Sequence, residues 1–310
     1  MRKLLFAFIF LLFIAQVYAA EELDAEPMSV AAPFSDVQVG LFILNLGKFD
    51  VATGSFTADF YLSLTCEDEC DASGFEFMNG RAASIDKIID EPNEKFYRIQ
   101  ANLASPVDLR RFPFDKQTMR IILEDKVKTK EDLTYTADLE QSGIDESIAF
   151  TGWRIDGWSA KVEEHDYKVY DEVYSQYVFS VNISRITFNS FMKTFLPVFF
   201  IVLIMLFSFI MDPDKITTRI AMASSALVGS VMFHISISNQ IPPVGYLTFA
   251  DKFMILTYFV ILLSVLVNII MLEFIEQKKQ HLVDKIHKRT EYGMFVVVPL
   301  LYVLFFLIFL

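Results

Sequence analysis

Four long apolar runs in the last third of the chain constrain its fold more than any other feature. They cover about residues 194–210, 217–238, 253–273 and 293–310. A helix needs about 20 apolar residues to cross the hydrocarbon core of a bilayer, so each run is close to a spanning length. Residues 191–310 are therefore predicted to form a transmembrane domain of four helices.

The connections between the runs orient them in the membrane. The segment between the third and fourth runs is basic, with Lys278, Lys279, Lys285, Lys288 and Arg289. Loops rich in Lys and Arg stay on the cytoplasmic side. We therefore expect four crossings, with the chain before the first run and the C-terminus both outside.

The N-terminus, "MRKLLFAFIFLLFIAQVYAA", has a basic start, an apolar core and small residues at its end. These features are typical of a secretory signal peptide, which is removed from the mature protein. We predict a signal peptide over residues 1–20 and an exported domain over residues 21–190.

The exported segment has a β pattern from residue 36 onward. In "SFTADFYLSLT" the apolar or small residues recur at every second position, at Phe56, Ala58, Phe60, Leu62 and Leu64. "QTMRIILED" and "YSQYVFSVNISRI" repeat this period of two, and turn residues lie between such runs. Many short strands of this kind predict one sandwich or barrel domain.

The charge of the exported segment limits its partners. Residues 21–190 hold 32 Asp and Glu against 16 Lys and Arg. This excess concentrates cations and disfavours nucleic acid and anionic lipid, although solubility alone would also explain it. A membrane-tethered hydrolase is disfavoured too, because the segment has a single histidine, His165, and neither a Gly-x-Ser-x-Gly nor a His-Glu-x-x-His motif. No cofactor is predicted.

Both cysteines, Cys66 and Cys70, lie in "TCEDECD". A nearby pair in an oxidising compartment favours a small disulfide. On a straight strand the two residues would be about 13 Å apart, so the segment must turn if they are bonded. A metal site made by Glu67, Asp68 and Glu69 is the alternative.

The second apolar run differs from the others because it contains several serines and His234. At helical spacing one face of this run carries Thr217, Ala221, Ser225, Val228, Met232 and Ile235. That face could line a water-filled pore with an apolar constriction, which gates by dewetting. Close helix packing is an equally open interpretation of the small residues. For His234, a hydrogen bond to a neighbouring helix is favoured over a role as a titrating sensor.

The segment "LRRFPFDKQT", residues 109–118, combines arginines, two phenylalanines, a proline and an aspartate. Proline favours an extended residue before it, so Phe112-Pro113 is expected to form a turn. The segment resembles the signature loop of pentameric ligand-gated ion channels, the Cys-loop receptor superfamily, and especially of its prokaryotic members. Thr118 stands where a second loop cysteine would be.

Other segments resemble the same family in order and position. They are "FTGWRIDGW" before the ninth strand, Arg185 in "NISRITF", Pro197 in the first helix and "SNQIPPVGY" after the second. The resemblance implies an extracellular immunoglobulin-like β-sandwich followed by a four-helix transmembrane bundle. It also implies a homopentamer around a central pore in the bacterial plasma membrane, in contact with membrane lipid.

In this family the signature loop rests on the membrane helices and couples the two domains. The resemblance implies that Phe112, Pro113 and Phe114 insert near the helix tops. It also implies that Asp115 pairs with Arg185. Asp50 is expected to join this charge cluster, and Arg111 completes the predicted coupling set.

The agonist region departs from the family pattern, because a Trp-containing segment and a Trp-x-Pro stretch are missing before "FEFMNG". The residues that still map near the pocket are Glu76, Phe77, Tyr167, Tyr170 and Tyr174. Aromatic rings there could hold a cation, although Phe77 and Tyr174 could equally be ordinary strand packing.

These observations predict a ligand-gated channel that conducts inorganic ions, with cations favoured by the acidic outer domain. The agonist is left open between a small molecule, protons and divalent ions. A non-conducting, membrane-anchored solute sensor with the same fold is the alternative.

Overall fold

The computed structural model describes residues 35–67 and 71–309. These residues form a strand-rich domain that ends at Arg185 and a helical domain that begins at Thr187. The predicted signal peptide, residues 1–20, lies outside the described residues.

The first domain contains ten described strands in two sheets. The strands are β1 (Ser35–Leu46), β2 (Ser55–Cys66), β3 (Phe75–Phe77), β4 (Gly80–Asp90), β5 (Glu94–Ala104), β6 (Lys116–Asp125), β7 (Leu133–Ala137), β8 (Gly143–Ile144), β9 (Trp153–Tyr167) and β10 (Glu172–Arg185). One sheet has the order β4-β5-β2-β1-β7, with β8 beside β1. The other has the order β3-β6-β10-β9.

The two sheets pack as a sandwich whose core comes from alternate residues of each strand. The predicted inward residues of β2 are all buried, so this part of the period-two prediction is confirmed. In the core, the rings of Phe60 and Phe77 meet edge to face with centroids 5.8 Å apart. The sandwich predicted from the strand pattern is therefore present.

Strands β6 and β10 form a long antiparallel ladder that runs toward the helices. Glu124 lies opposite Gln176 at one end, and Lys116 lies opposite Ser184 at the other. The next residues at this second end are Asp115 and Arg185, and Arg185 is followed by Ile186, which caps the first helix. The ladder thus leads from the outer part of the sandwich to the domain junction.

The second domain consists of four long helices. They are α1 (Thr187–Ser208), α2 (Ile216–Ser238), α3 (Phe249–Glu276) and α4 (Gln280–Phe309), with a short 3-10 turn (Pro213–Lys215) before α2. Within the described residues, these four helices are long and apolar enough to cross a membrane. All four begin before the predicted spans, by one residue in α2 and by at least four residues in the others, because the apolar runs mark only the part inside the lipid.

Helix α3 has a well-defined start near the domain junction. The backbone N–H of Asp251 donates to Oγ1 of Thr248, and the N–H of Thr248 donates to Oδ2 of Asp251. This reciprocal capping box satisfies N–H groups that a helix otherwise leaves without partners. It fixes the first turn of α3 beneath the sandwich.

Candidate functional site

The loop over residues 109–115, called here the proline loop, inserts its aromatic side chains into the helical domain. Leu109 and Phe112 are buried in the same apolar cluster as the helix residues. Phe114 stacks on Phe195 of α1 at 5.7 Å and meets Phe249 of α3 edge to face at 5.6 Å. The described structure therefore places these aromatics at the helix ends, where the family resemblance implied them.

Backbone hydrogen bonds join the proline loop to the start of α3. The N–H of Phe249 donates to the carbonyl of Arg110 at 2.9 Å, and the N–H of Ala250 donates to the carbonyl of Phe112 at 3.1 Å. Both donors belong to the first turn of the helix, which has no internal acceptors for them. The loop and α3 are thus connected by two main-chain bonds as well as by aromatic packing.

A buried ion pair closes the junction on the other side of the loop. Nε of Arg185 donates to Oδ1 of Asp115 at 2.6 Å, and Nε2 of Gln117 donates to Oδ2 at 2.8 Å. Asp115 is only 1% exposed. The Arg185 guanidinium carbon lies 5.1 Å from the Phe112 ring centroid and 4.5 Å from that of Trp153. The pairing that the resemblance implied is present, with aromatic faces around the cation.

Asp50, which was predicted for this cluster, and Arg111 of the predicted coupling set both lie outside the ion pair. The Asp50 carboxylate accepts from the N–H of Ala52 at 2.9 Å and from the hydroxyl of Thr53 at 3.0 Å. These local bonds, the first of them the larger cause, lower the pKa of Asp50. Arg111 is exposed on the loop. The expectation that Asp50 pairs within the cluster is wrong for the described structure, because an Asx-type turn satisfies its carboxylate locally.

The predicted pore-lining residues of α2 all lie on one exposed face of the protomer. Each of the set Thr217, Ala221, Ser225, Val228, Met232 and Ile235 is exposed. Val228, Met232 and Ile235 expose 63%, 64% and 52% of their surface. The opposite face, with Ala223, Ala226 and Ser230, is buried against the other helices. Within the protomer, the small-residue stripe is therefore not used for helix packing.

His234 links α2 to α3, as the packing interpretation expected. Its Nε2 lies 3.0 Å from Oδ1 of Asp251, and its Nδ1 lies 2.8 Å from the hydroxyl of Tyr258. Asp251 is also part of the capping box at the start of α3. The exposed stripe on α2 is thereby tied to the same helical turn that bonds to the proline loop.

The predicted agonist residues are only partly brought together. The rings of Tyr167 and Tyr174 meet edge to face at 5.4 Å, and Tyr170 is 71% exposed at the tip of the β9–β10 hairpin. Glu76 lines a cleft of about 480 Å³ and lies near enough to Tyr167 to help raise the pKa of its hydroxyl. Phe77 is buried in the sandwich core, because its position on β3 points inward. The strand-packing interpretation therefore holds for Phe77, although the residue also borders the same cleft as Glu76.

One polar network in this region was not predicted from the sequence. Glu124 of β6 is 3% exposed and is bonded by His165, Tyr167 and Gln176 of the β9–β10 hairpin. One feature of the sequence does indicate it: the carboxylate of Glu124 lies inside the predicted strand "RIILED", just before the strand ends. The pairing of that position with the histidine, however, depends on strand register.

The cysteine prediction is only partly within the described chain. Cys66 is disulfide-bonded. Cys70 lies outside the described residues, as do Asp68 and Glu69 of the alternative metal site. The described residues contain no group of three or more His, Cys, Asp or Glu side chains that could hold a metal ion.

Comparison with known proteins supports the channel interpretation of these features. No protein-family model matches the chain. The chain is similar to a proton-gated ion channel of Gloeobacter violaceus, with 25% identity over 277 residues. This match covers 80% of the chain and 77% of the relative. It confirms the resemblance indicated by the proline loop and the four apolar helices.

Proposed function

We propose, from the premise that this chain is a homologue of the pentameric ligand-gated ion channels, that its copies assemble as a homopentamer around a cation-conducting pore lined by α2. The sandwich lies outside the membrane and controls the width of the pore. The membrane is the bacterial plasma membrane, a proposal supported by the predicted signal peptide and by the basic segment between the third and fourth apolar runs.

The exposed stripe on α2 carries this proposal. The large side chains exposed on α1, α3 and α4 are predominantly Phe, Leu, Ile and Val, which suits contact with lipid tails. Thr217 and Ser225 on the exposed face of α2 would be unfavourable there, because hydroxyl groups in hydrocarbon need hydrogen-bond partners. A shared aqueous axis would provide water for them. Val228, Met232 and Ile235 would form the apolar constriction farther out.

Cation selectivity is supported by where the charges lie. Arg219 follows the inner end of the stripe, but its side chain is fully buried in the bundle, with Nη1 3.3 Å from Nδ1 of His287. It therefore contributes no exposed positive group to the proposed inner mouth. The acidic outer domain would raise the local concentration of cations at the other end.

Coupling between the domains would use the junction already described. A ligand, protons or divalent ions would change the outer sandwich, and β6 and β10 would carry the change to Asp115 and Arg185. The proline loop would then displace the first turn of α3. Since Asp251 in that turn is hydrogen-bonded to His234 on α2, the displacement would reach the pore-lining helix.

The test is conduction by the purified full chain in planar bilayers, together with its mass in detergent. We expect a pentamer, unitary currents, and a reversal potential that follows the potassium gradient. A reversal potential that follows chloride would contradict cation selectivity alone. A protein that binds a solute with its outer domain but conducts nothing would instead be the anchored sensor.

A further inference from the structure

The buried carboxylate of Glu124 is the centre of a network that joins β6 to the β9–β10 hairpin. Oε2 lies 2.9 Å from Nδ1 of His165 and 2.7 Å from Nε2 of Gln176, and Oε1 accepts from the hydroxyl of Tyr167 at 2.9 Å. Three side chains from one hairpin thus converge on one carboxylate. A buried charge requires such partners, because burial without them is costly.

The hydrogen-bond geometry fixes where the protons lie. Nδ1 of His165 is also 2.9 Å from Nε2 of Gln176, which is an amide nitrogen and can only donate. If Nδ1 were unprotonated and accepted that bond, it would also lie 2.9 Å from the carboxylate oxygen Oε2 with no proton between the two acceptors. The consistent arrangement has Nδ1–H and the Gln176 amide both donating to Glu124. The site for an additional proton is therefore Nε2 of His165.

Nε2 of His165 is not among the fully buried polar atoms of the described residues that lack a hydrogen-bond partner, so solvent reaches it. The His165 side chain is 37% exposed, whereas that of Glu124 is 3% exposed. Within the described part of the chain, no hydrogen bond to Nε2 is found. A proton can therefore reach the ring from outside without disturbing the bond to the carboxylate.

We propose that His165 and Glu124 form the proton-binding site through which external acid opens the channel, an inference that rests on the proposed channel function. A proton on Nε2 changes a neutral imidazole beside a carboxylate into an ion pair. The bond to the carboxylate is then joined by attraction between two opposite charges, which is stronger at a buried carboxylate such as Glu124 than in water. Acid would therefore strengthen the attachment of the hairpin to β6.

The titratable groups around His165 favour added positive charge. They are Glu124 from β6, Glu76 from β3, Tyr167 and Glu163 from β9, and Tyr174 and Glu172 from β10. Glu163 forms an ion pair with Lys161 on its own strand. Burial, followed by the bond to Glu124, raises the pKa of Tyr167 to about 12, so its hydroxyl remains a donor. Carboxylates and neutral phenols thus surround the ring.

The site lies at the outer end of the ladder that leads to the membrane. Gln176 is opposite Glu124 in the β6–β10 register, and the ladder continues to Ser184 opposite Lys116. The Asp115–Arg185 ion pair follows at once. A change in how the hairpin is held on β6 therefore acts on the same two strands that hold the coupling pair.

The first experiment measures current from the reconstituted full chain while the outer solution is changed from about pH 8 to about pH 4.5, the range around histidine titration. In His165→Gln the amide keeps a donor for Glu124 but does not titrate. We expect His165→Gln and Glu124→Gln to move the activation midpoint by about one pH unit or more toward acid. The matched control, His281→Gln, alters an exposed histidine at the start of α4 and should leave the midpoint unchanged.

A second measurement keeps the inference testable if a variant fails to fold. A spin label at Tyr170→Cys, on the exposed hairpin tip, should become less mobile in acid, and a label at Ile88→Cys on β4 should not change. If both variants conduct as the wild type does and are half-activated at the same pH, the proton site is overturned and the channel function stands. If no current is seen at any pH, the proposed function fails, and the label alone then decides: a line shape independent of pH overturns the proton site.

Discussion

The two domains of this protein bury and expose opposite kinds of side chain. The sandwich hides its apolar residues between two sheets and presents a charged surface. The helical domain exposes rings and branched chains on α1, α3 and α4, and it buries Ser264, Asn268 and Arg219. Each pattern fits its solvent, water in one case and lipid in the other.

The exposed stripe of α2 fits neither pattern completely. It belongs to the lipid-embedded domain, yet its inner half carries hydroxyl groups like a surface that faces water. The comparison teaches that the exposed side chains of a helix record its environment, and that the exposed face of α2 resembles neither the lipid-facing helices nor the surface of the sandwich. The following experiments test that difference and the junction that joins the two domains.

The largest effect is expected from Asp115→Asn. The change would leave the part-buried Arg185 without its anionic partner, and breaking a buried pair costs about 3–5 kcal/mol. We expect loss of assembled protein or of current, measured by size-exclusion chromatography and bilayer recording. Asp108→Asn is the control, because Asp108 pairs with Arg110 on the surface and both side chains are more than half exposed. Normal currents from Asp115→Asn would contradict the assigned coupling role.

A smaller but more specific effect is expected from Val228→Ser. Val228 lies on the exposed stripe and Val297 on the lipid-facing side of α4, and both are about half exposed or more. A hydroxyl in an apolar constriction favours wetting, so Val228→Ser should raise the resting conductance several-fold. Val297→Ser should leave it unchanged. Equal behaviour of the two variants would remove the distinction between the stripe and the lipid-facing surface.

The smallest effect is expected from Asp50→Asn. The pKa of Asp50 is lowered from 3.8, so its contribution to stability is present above that value and is lost only as the pH falls through the lowered pKa. Between about pH 5 and pH 8 the residue stays charged, and asparagine retains an acceptor for the N–H of Ala52. The activation midpoint should therefore not move. A loss of current like that expected for Asp115→Asn would mean that Asp50 enters the cluster during gating.

The sequence was sufficient for the features that depend on periodicity and local chemistry. The period of two in β2 placed its inward residues correctly, and four apolar runs predicted four helices. The family resemblance of the proline loop predicted the ion pair between Asp115 and Arg185. In each case the signal was contained within a short segment or in a known motif.

The features missed depend on register and on competition between partners. Asp50 was expected to join the charge cluster of Asp115 and Arg185. Its carboxylate instead accepts hydrogen bonds from Ala52 and Thr53 in its own turn. Phe77 was left open between a ligand pocket and strand packing, and its place on β3 directs it into the core while it also borders the cleft of Glu76. Glu124 meets His165 only because β6, β10 and β9 pair in one register, which no local pattern in the sequence specifies.

The bonds between the proline loop and α3 limit how the two domains can move. If the loop withdrew, the amides of Phe249 and Ala250 would lose their acceptors near a membrane surface crowded with phenylalanine rings, where replacement by water is unfavourable. Movement of the outer domain should therefore shift the beginning of α3 bodily rather than detach from it. A movement of the sandwich would then be transmitted directly to the helical domain.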